Sequence, residues 1–96
     1  MTHEIKILEQ FADAVYKGRK TFEIRKNDRG YQNGDRIHFT VVKDGTPYVL
    51  EHPLNAHLFG ITYVLNGWGI KEDYCVFSII DLGTGHYDLS GREVKK

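Results

Sequence analysis

The chain contains very little of several residue types that would otherwise define its class. Its 96 residues include one cysteine, one tryptophan, one methionine and two prolines. A single cysteine excludes a disulfide within the chain, and a small domain without disulfides is typical of a reducing compartment. We therefore expect a cytoplasmic protein in which Cys75, inside the apolar run YCVFSII, is a buried and inert thiol.

The sequence also lacks a long apolar run and a net charge. No stretch approaches the roughly 18 apolar residues of a membrane span, and the start, MTHEIKILEQ, lacks the basic and then apolar order of a secretory signal. Thirteen Lys and Arg balance thirteen Asp and Glu, so net charge provides no general attraction to nucleic acid or membrane. We expect one small monomeric domain with no membrane partner.

The five histidines do not form a metal-binding pattern. His52 and His57 are five residues apart around a proline, which does not place them on one helical turn, and neither a cysteine nor a third histidine accompanies them. We expect no metal and no cofactor.

Positive charge is concentrated in one segment. Residues 17–29 contain two carboxylates, Glu23 and Asp28. They also contain six cationic side chains, namely Lys17, Arg19, Lys20, Arg25, Lys26 and Arg29. This segment therefore has a local balance of +4, and the rest of the chain has −4. A basic patch on a neutral body favours a bounded anionic ligand over coating of a long polymer.

The apolar pattern predicts a mostly β fold with one short N-terminal helix (α+β). HEIKIL alternates apolar and polar residues as a half-buried strand does. From Leu8 to Tyr16 the apolar residues follow helical spacing, and Gly18 ends this helix. KTFEIRK returns to strand alternation, with Phe22 and Ile24 on one face and Glu23 on the other.

The rest of the chain supplies the remaining strands. RIHFTV alternates again, the turn Asp44-Gly45 leads into a strand in PYVLE, and LFGITYVL and YCVFSII follow. Five or six short strands predict a small, mostly antiparallel open β-barrel or sandwich. We assign residues 1–82 to this domain and residues 83–96, which have glycines and a charged end, to a C-terminal tail.

One segment carries a family resemblance. GRKTFEIRKNDRGYQNGD contains G-x-K-x-x-E-x-R at Gly18, Lys20, Glu23 and Arg25, followed by an Asn-Asp-Arg run. Together with THEIKIL, ITYVL and YCVFSII, it resembles the small bacterial and phage proteins of the DUF3850 group, relatives of the ASCH domain in the PUA-like superfamily. The resemblance covers roughly residues 2–80.

The resemblance implies a PUA-like open β-barrel with a cleft lined by this motif, in a superfamily whose members often bind RNA or modified nucleotides. It also implies an enzymatic alternative, because some ASCH relatives are amidohydrolases that deacetylate N4-acetylcytidine with a lysine, a threonine and a glutamate. Lys20 matches the lysine, while Glu23 stands in place of the threonine. Glu51 and Glu72 are candidates for the glutamate, and Thr21 for a displaced hydroxyl nucleophile.

The motif residues also suggest a binding chemistry of their own. Glu23 and Arg25 are two apart on one strand face, roughly 6–7 Å by strand rise. The carboxylate favours the ammonium form of Lys20, which makes it a fixed cation, and the planar fork of Arg25 suits a phosphate or a base edge. The alternative interpretation is a solvated strand face with an exposed ion pair.

Aromatic residues near this segment are candidates for stacking on bases. Tyr31 lies in the basic loop beside Arg29, and glycines flank Trp68 in NGWGI. Exposed rings of this kind, Tyr63 included, stack on bases of single strands. Packing in the core is the alternative for all three rings.

These observations lead to three functional hypotheses. The first is a module that binds RNA, other single-stranded nucleic acid or a nucleotide through Lys20, Glu23, Arg25, Arg29, Tyr31, Tyr63 and Trp68. The second is a small hydrolase, an amidohydrolase or a ribonuclease, that uses Lys20, Glu23 and Thr21. The third is a protein interaction module.

Overall fold

The structure is a computed structural model that describes residues 1–94, and it confirms a mostly β fold with one short helix. Its elements follow the chain as β1 (Thr2–Leu8), α1 (Glu9–Tyr16), β2 (Phe22–Lys26), β3 (Arg36–Val42), a 3-10 helix (Pro53–Ala56), β4 (Leu58–Leu65) and β5 (Tyr74–Asp81). The five strands form one sheet in the order β1-β3-β4-β5-β2. The sheet curls into a half-barrel.

The pairing of the strands leaves this barrel open on one side. β1 and β3 are parallel, and the other three pairs are antiparallel. β1 and β2 are the two end strands, and no Cα atom of β1 lies within 8 Å of one in β2. We call the gap between β1 and β2 the seam.

The core fills the concave side of the sheet and follows the predicted alternation. Ile5 and Ile7 of β1 lie in register with Phe39 and Val41 of β3, and all four side chains are buried. Burial of such side chains stabilises the fold by about 1.5–3 kcal/mol each. Cys75 is fully buried in the same core, as predicted.

The predicted helix forms with a small shift. It spans Glu9–Tyr16, because Leu8 ends β1 instead of starting the helix. Ala12 and Val15 enter the core, whereas Phe11 and Tyr16 remain half-exposed. In residues 1–94, the two helices have eight and four residues, too short to cross a bilayer.

The predicted strand in PYVLE is wrong. Asp44-Gly45 does form a turn, in which the N–H of Thr46 donates to the carbonyl of Lys43 at 3.1 Å. Beyond it, only a single bridge joins Val49 to Val42. Pro47 has no N–H to contribute to a ladder, and the chain soon enters the 3-10 helix at Pro53.

The segment from residue 83 to residue 94 folds back over the outer side of β3. The ring of Tyr87 stacks on that of His38 with centroids 3.5 Å apart. The side-chain amide of Asn55 donates to the carbonyl of Leu89 at 2.8 Å. Residues 95 and 96 of the predicted tail lie outside the described residues.

Candidate functional site

Two arginines of the basic segment span the seam. Nη2 of Arg25 donates to the carbonyl of Lys6 at 3.0 Å, and Nη1 of Arg29 donates to the carbonyl of Glu4. These carbonyls lie on the edge of β1 that no strand pairs. Side-chain donors therefore replace part of the backbone ladder that a closed barrel would have.

Glu23 is a buried carboxylate on the inner face of β2. Its side chain accepts from Nε of Arg25 at 3.1 Å, from Nη2 of Arg25 at 2.7 Å, and from Nζ of Lys20. A buried carboxylate is tolerated when such partners compensate it. Lys20 and Arg25 thus converge on one carboxylate, and the three groups together carry one net positive charge.

The alternative of a solvated strand face with an exposed ion pair is therefore wrong. Glu23 is 3% exposed, whereas its apolar neighbours Phe22 and Ile24 are 46% and 54% exposed. β2 therefore buries a charged residue and exposes apolar ones, the reverse of an ordinary half-buried strand. It can do so because it is an end strand, whose inner face lies at the seam with the cationic side chains.

Two cavities lie along the seam. The first, about 480 Å³, is lined by Glu4, Ile5, Lys6, Arg25, Lys26, Asp28, Arg29, Tyr31 and Thr40. The second, about 290 Å³, is lined by Lys6, Ile7, Leu8, Phe11, Lys20, Glu23, Ile24 and Arg25. We call them the basic pocket and the apolar pocket. Because both contain Lys6 and Arg25, they adjoin, and together they form what we call the seam cleft.

The basic pocket presents an excess of positive charge. Four cationic side chains line it against two carboxylates, Glu4 and Asp28. Among residues 1–94, no group accepts from Nη1 of Arg25 or from Nε and Nη2 of Arg29. These unpaired N–H groups and the excess of charge suit an anion that has several acceptor oxygens.

Lys20 has an unusually acidic ammonium group. Burial, and to a smaller degree the charge of Arg25, lowers the pKa of Lys20 from 10.5 to about 8. Contact with the Glu23 carboxylate favours the charged form, so burial prevails over this opposing influence. Near pH 7 the group is therefore mainly a cation, yet a neutral amine is accessible at mildly alkaline pH.

The prediction of an exposed stacking ring is wrong for Tyr31, which is 6% exposed and packs in the core, although it forms part of the wall of the basic pocket. Its ring centroid is 4.8 Å from that of His3 and 4.7 Å from that of Phe77. Nε2 of His3 lies 2.8 Å from a carboxylate oxygen of Asp35. Burial raises the pKa of Tyr31, and the charges of Arg29 and Arg25 oppose that rise.

The other candidate residues lie outside the seam cleft. Tyr63 is exposed on the outer face of β4, and Trp68, which is 91% exposed, lies in the loop between β4 and β5. Thr21, Glu51 and Glu72 line neither pocket of the cleft. The structure therefore brings together Lys20, Glu23, Arg25, Arg29 and Tyr31, and leaves Tyr63 and Trp68 apart from them.

Sequence reasoning missed Lys6 and Lys26 as cleft residues. Both point outward in the strand alternation and resemble ordinary solvated lysines. The basic composition of residues 17–29 was a signal for Lys26. No sequence signal shows that Lys6 of β1 faces β2 across the seam, because the two strands do not pair.

Within residues 1–94, no three His, Cys, Asp or Glu side chains are grouped as metal ligands. His52 instead has structural partners. Its Nε2 lies 2.7 Å from a carboxylate oxygen of Asp13, and its Nδ1 accepts from the N–H of Leu54 at 3.0 Å. These bonds fasten the 3-10 helix to α1.

Comparison with known proteins identifies the family of this chain. Over 35 residues it is 43% identical to an uncharacterized 12.9 kDa protein in the GpA 3'region of Escherichia phage P2. That match covers 36% of this chain and 32% of the phage protein, about a third of each. A family model described as a domain of unknown function matches residues 2–79. The chain therefore belongs to the DUF3850 family.

Proposed function

We propose that the seam cleft binds a nucleotide or a short segment of single-stranded RNA. One observation carries this proposal: Arg25 lines two adjoining cavities of different character. The basic pocket suits a phosphate, because several N–H donors and an excess of positive charge meet there. The apolar pocket, with Ile7, Leu8 and Phe11 in its walls, suits the flat apolar face of a base.

Each motif residue has a distinct role in this proposal. Arg25 and Arg29 donate to phosphate oxygens, and Lys20 contributes a point charge to a phosphate or a base acceptor. Both oxygens of Glu23 already accept hydrogen bonds from Lys20 and Arg25. We therefore assign Glu23 the role of orienting the two cations. Its alternative role is to accept a hydrogen bond from an amino group of the base.

The family relationship supports RNA as the source of the nucleotide. The sequence resembles ASCH relatives of the PUA-like superfamily, which implies an RNA or nucleotide ligand. We expect the protein to act in the cytoplasm, where the single cysteine stays reduced.

Binding to a labelled oligonucleotide tests the proposal. We would measure fluorescence anisotropy with a single-stranded RNA of about 12 nucleotides, and nuclear magnetic resonance shifts with the four ribonucleoside monophosphates. We expect Arg29→Gln to weaken binding about tenfold or more, which is the loss of one or two charge-assisted hydrogen bonds. Arg36→Gln is the matched control, because Arg36 is exposed on β3 and lines neither pocket.

Two outcomes would contradict the proposal. One is the absence of binding by the wild type to both probes at low salt. The other is equal binding by the wild type, Arg29→Gln and Lys20→Ala, since binding would then lie outside the seam cleft.

A second candidate function, amide hydrolysis on a modified nucleoside, is favoured by the lowered pKa of Lys20. A neutral lysine beside a carboxylate can act as a nucleophile or a base in acyl transfer. Thr21 lines neither pocket, so the reaction would depend on Lys20 and Glu23. Release of acetate from N4-acetylcytidine by the wild type but not by Lys20→Ala would support this candidate, and no release above the uncatalysed rate would remove it.

A further inference from the structure

The outer sides of β2, β4 and β5 form one apolar surface. The strand register places Leu65, Val76 and Ile24 in one row across the sheet, and Tyr63, Ser78 and Phe22 in the next. Directly opposed residues of neighbouring strands project from the same side of the sheet. We call this surface the outer face, defined by the side chains of Phe22, Ile24, Tyr63, Leu65, Val76 and Ile80.

The outer face contains no charged side chain in these rows, all of which lie within residues 1–94. Its central polar groups already have partners, because the hydroxyls of Thr62 and Ser78 lie 2.6 Å apart. Cations stand only at its border, where Nζ of Lys20 lies 5.1 Å from the ring of Phe22 and Lys26 occupies the next row of β2. The surface therefore suits an apolar partner.

The side chains of the outer face expose a contiguous apolar area. Phe22, Ile24, Tyr63 and Ile80 are 46–59% exposed. Taking about 200 Å² for each fully exposed side chain of this size, these four residues expose about 400 Å², and the central row adds to it. An area of this size matches the largest apolar patch of an ordinary monomer, about 300–600 Å², and such patches are often functional.

The chain's own C-terminal segment covers a different part of the same side of the sheet. Tyr87 stacks on His38 of β3, and Gly91 lies close to Thr40 of β3. His38 becomes buried in this way, although it points away from the core. The described residues thus cover the outer side of β3 and leave the outer face of β2, β4 and β5 exposed.

We propose that a second copy of this chain packs on the outer face and forms a two-fold symmetric dimer. The uncharged rows at the centre of this surface complement another copy of themselves, and sheets pack face to face about 10 Å apart. The net charge of zero means that copies do not repel each other. An area of about 400 Å² on each partner is smaller than the roughly 600 Å² per partner of the smallest stable interfaces, so the dimer is weak and transient, with dissociation in the micromolar range.

The dimer also borders the seam cleft. Ile24 of the outer face lines the apolar pocket, and the ring of Phe22 lies beneath Nζ of Lys20 at 5.1 Å. A second copy on the outer face therefore lies near the mouth of the apolar pocket. The proposal stands independently of whether the cleft binds a nucleotide.

Sedimentation equilibrium between about 5 µM and about 500 µM tests the proposal, because this range spans the dissociation expected for a small interface. We expect the average mass to rise from the monomer mass of 11.1 kDa towards twice that value. Tyr63→Glu should raise the dissociation constant at least tenfold. Tyr48→Glu is the matched control, since Tyr48 is also an exposed tyrosine, 72% against 59% for Tyr63, and lies in the loop after β3, away from the outer face.

Circular dichroism would verify that the variants fold. If Tyr63→Glu does not fold, Ile80→Glu takes its place in the experiment. Amide chemical shifts that change on dilution should map to β2, β4 and β5. A wild type that remains monomeric at about 500 µM would overturn the proposal. So would a dimer that survives both substitutions in folded protein, or dilution shifts confined to other strands.

Discussion

At the scale of single residues, the chemistry of this protein centres on one buried carboxylate held by two cations. Glu23 fixes the positions of Lys20 and Arg25, and Arg25 in turn reaches across the seam to β1. The excess of one positive charge in this trio, next to the arginine-rich basic pocket, is the physical basis of the proposed binding of an anion.

The lowered pKa of Lys20 is directly measurable. We expect nuclear magnetic resonance titration of its side chain to show a midpoint near pH 8, well below the value of about 10.4 for a free lysine. A Lys20 midpoint near that of a free lysine would show that burial does not prevail over the Glu23 contact.

The same shift has a consequence for stability. Between pH 8 and 10.5, Lys20 is deprotonated in the folded state but protonated in the unfolded state. The unfolded state then binds more protons, so this group makes the free energy of unfolding rise with pH in that window. Compared with Lys20→Met, the wild type should gain about 1 kcal/mol from pH 8 to 10.5, a figure reduced for partial exposure. Urea denaturation at several pH values measures the difference, and parallel curves would contradict it.

Loss of the carboxylate should be costly. Glu23→Ala leaves Lys20 and Arg25 without their shared partner, and breaking a buried ion pair typically destabilises by about 3–5 kcal/mol. Glu72→Ala removes an exposed carboxylate and should change stability by less than about 0.5 kcal/mol. Chemical denaturation compares the two variants, and similar midpoints would show that Glu23 is not held as described.

At the scale of elements, the C-terminal segment acts as a cover for β3. Asn55 is fully buried and anchors it, because its side-chain amide donates to the carbonyls of Leu50 and Leu89 while its Oδ1 accepts from the N–H of Val41. One side chain thus joins β3, the 3-10 helix and the returning chain.

A glycine of this segment should be sensitive to substitution. Gly91 has φ +82°, and an added Cβ would lie 2.9 Å from Cγ2 of Thr40. We expect Gly91→Ala to destabilise the protein by about 2–3 kcal/mol, from left-handed strain together with overpacking. Gly83→Ala has a similar φ of +93° but no atom within 4 Å, so it should cost only about 1 kcal/mol. Thermal unfolding of both variants separates the two contributions, and equal losses would mean that the close contact relaxes.

At the scale of the whole molecule, the half-barrel separates two surfaces of different character. The seam between β1 and β2 is polar and cationic, and the outer face of β2, β4 and β5 is apolar. β2 belongs to both surfaces, because Glu23 and Arg25 face the seam while Phe22 and Ile24 face outward.

The charge of the seam predicts how binding responds to salt. If about three cations contact phosphates, the logarithm of the affinity for single-stranded RNA should fall with the logarithm of salt with a slope of about −2. Arg29→Gln should make that slope shallower by about 0.7, whereas Arg36→Gln should leave it unchanged. Anisotropy titrations from about 50 to about 200 mM salt measure the slope. A slope near zero would show that phosphate contacts do not drive binding.

The sequence by itself determined the strand and helix content, the buried Cys75 and the segment that carries the basic site. Local periodicity and glycine positions specify these features, because they depend on neighbours within a few residues. The prediction failed for PYVLE, where Pro47 and the entry into the 3-10 helix prevent a ladder.

Only the tertiary structure decided which side of β2 is buried and what Lys20 and Arg25 contact. The alternation in KTFEIRK is the same whether Phe22 or Glu23 faces inward. The choice depends on β1, which is distant in sequence and meets β2 only across the open seam. The way β1 and β2 approach each other across the seam determines the burial of Glu23, the convergence of the two cations and the contribution of Lys6. The sequence alone could not show these features, because long-range contacts leave no periodic trace in it.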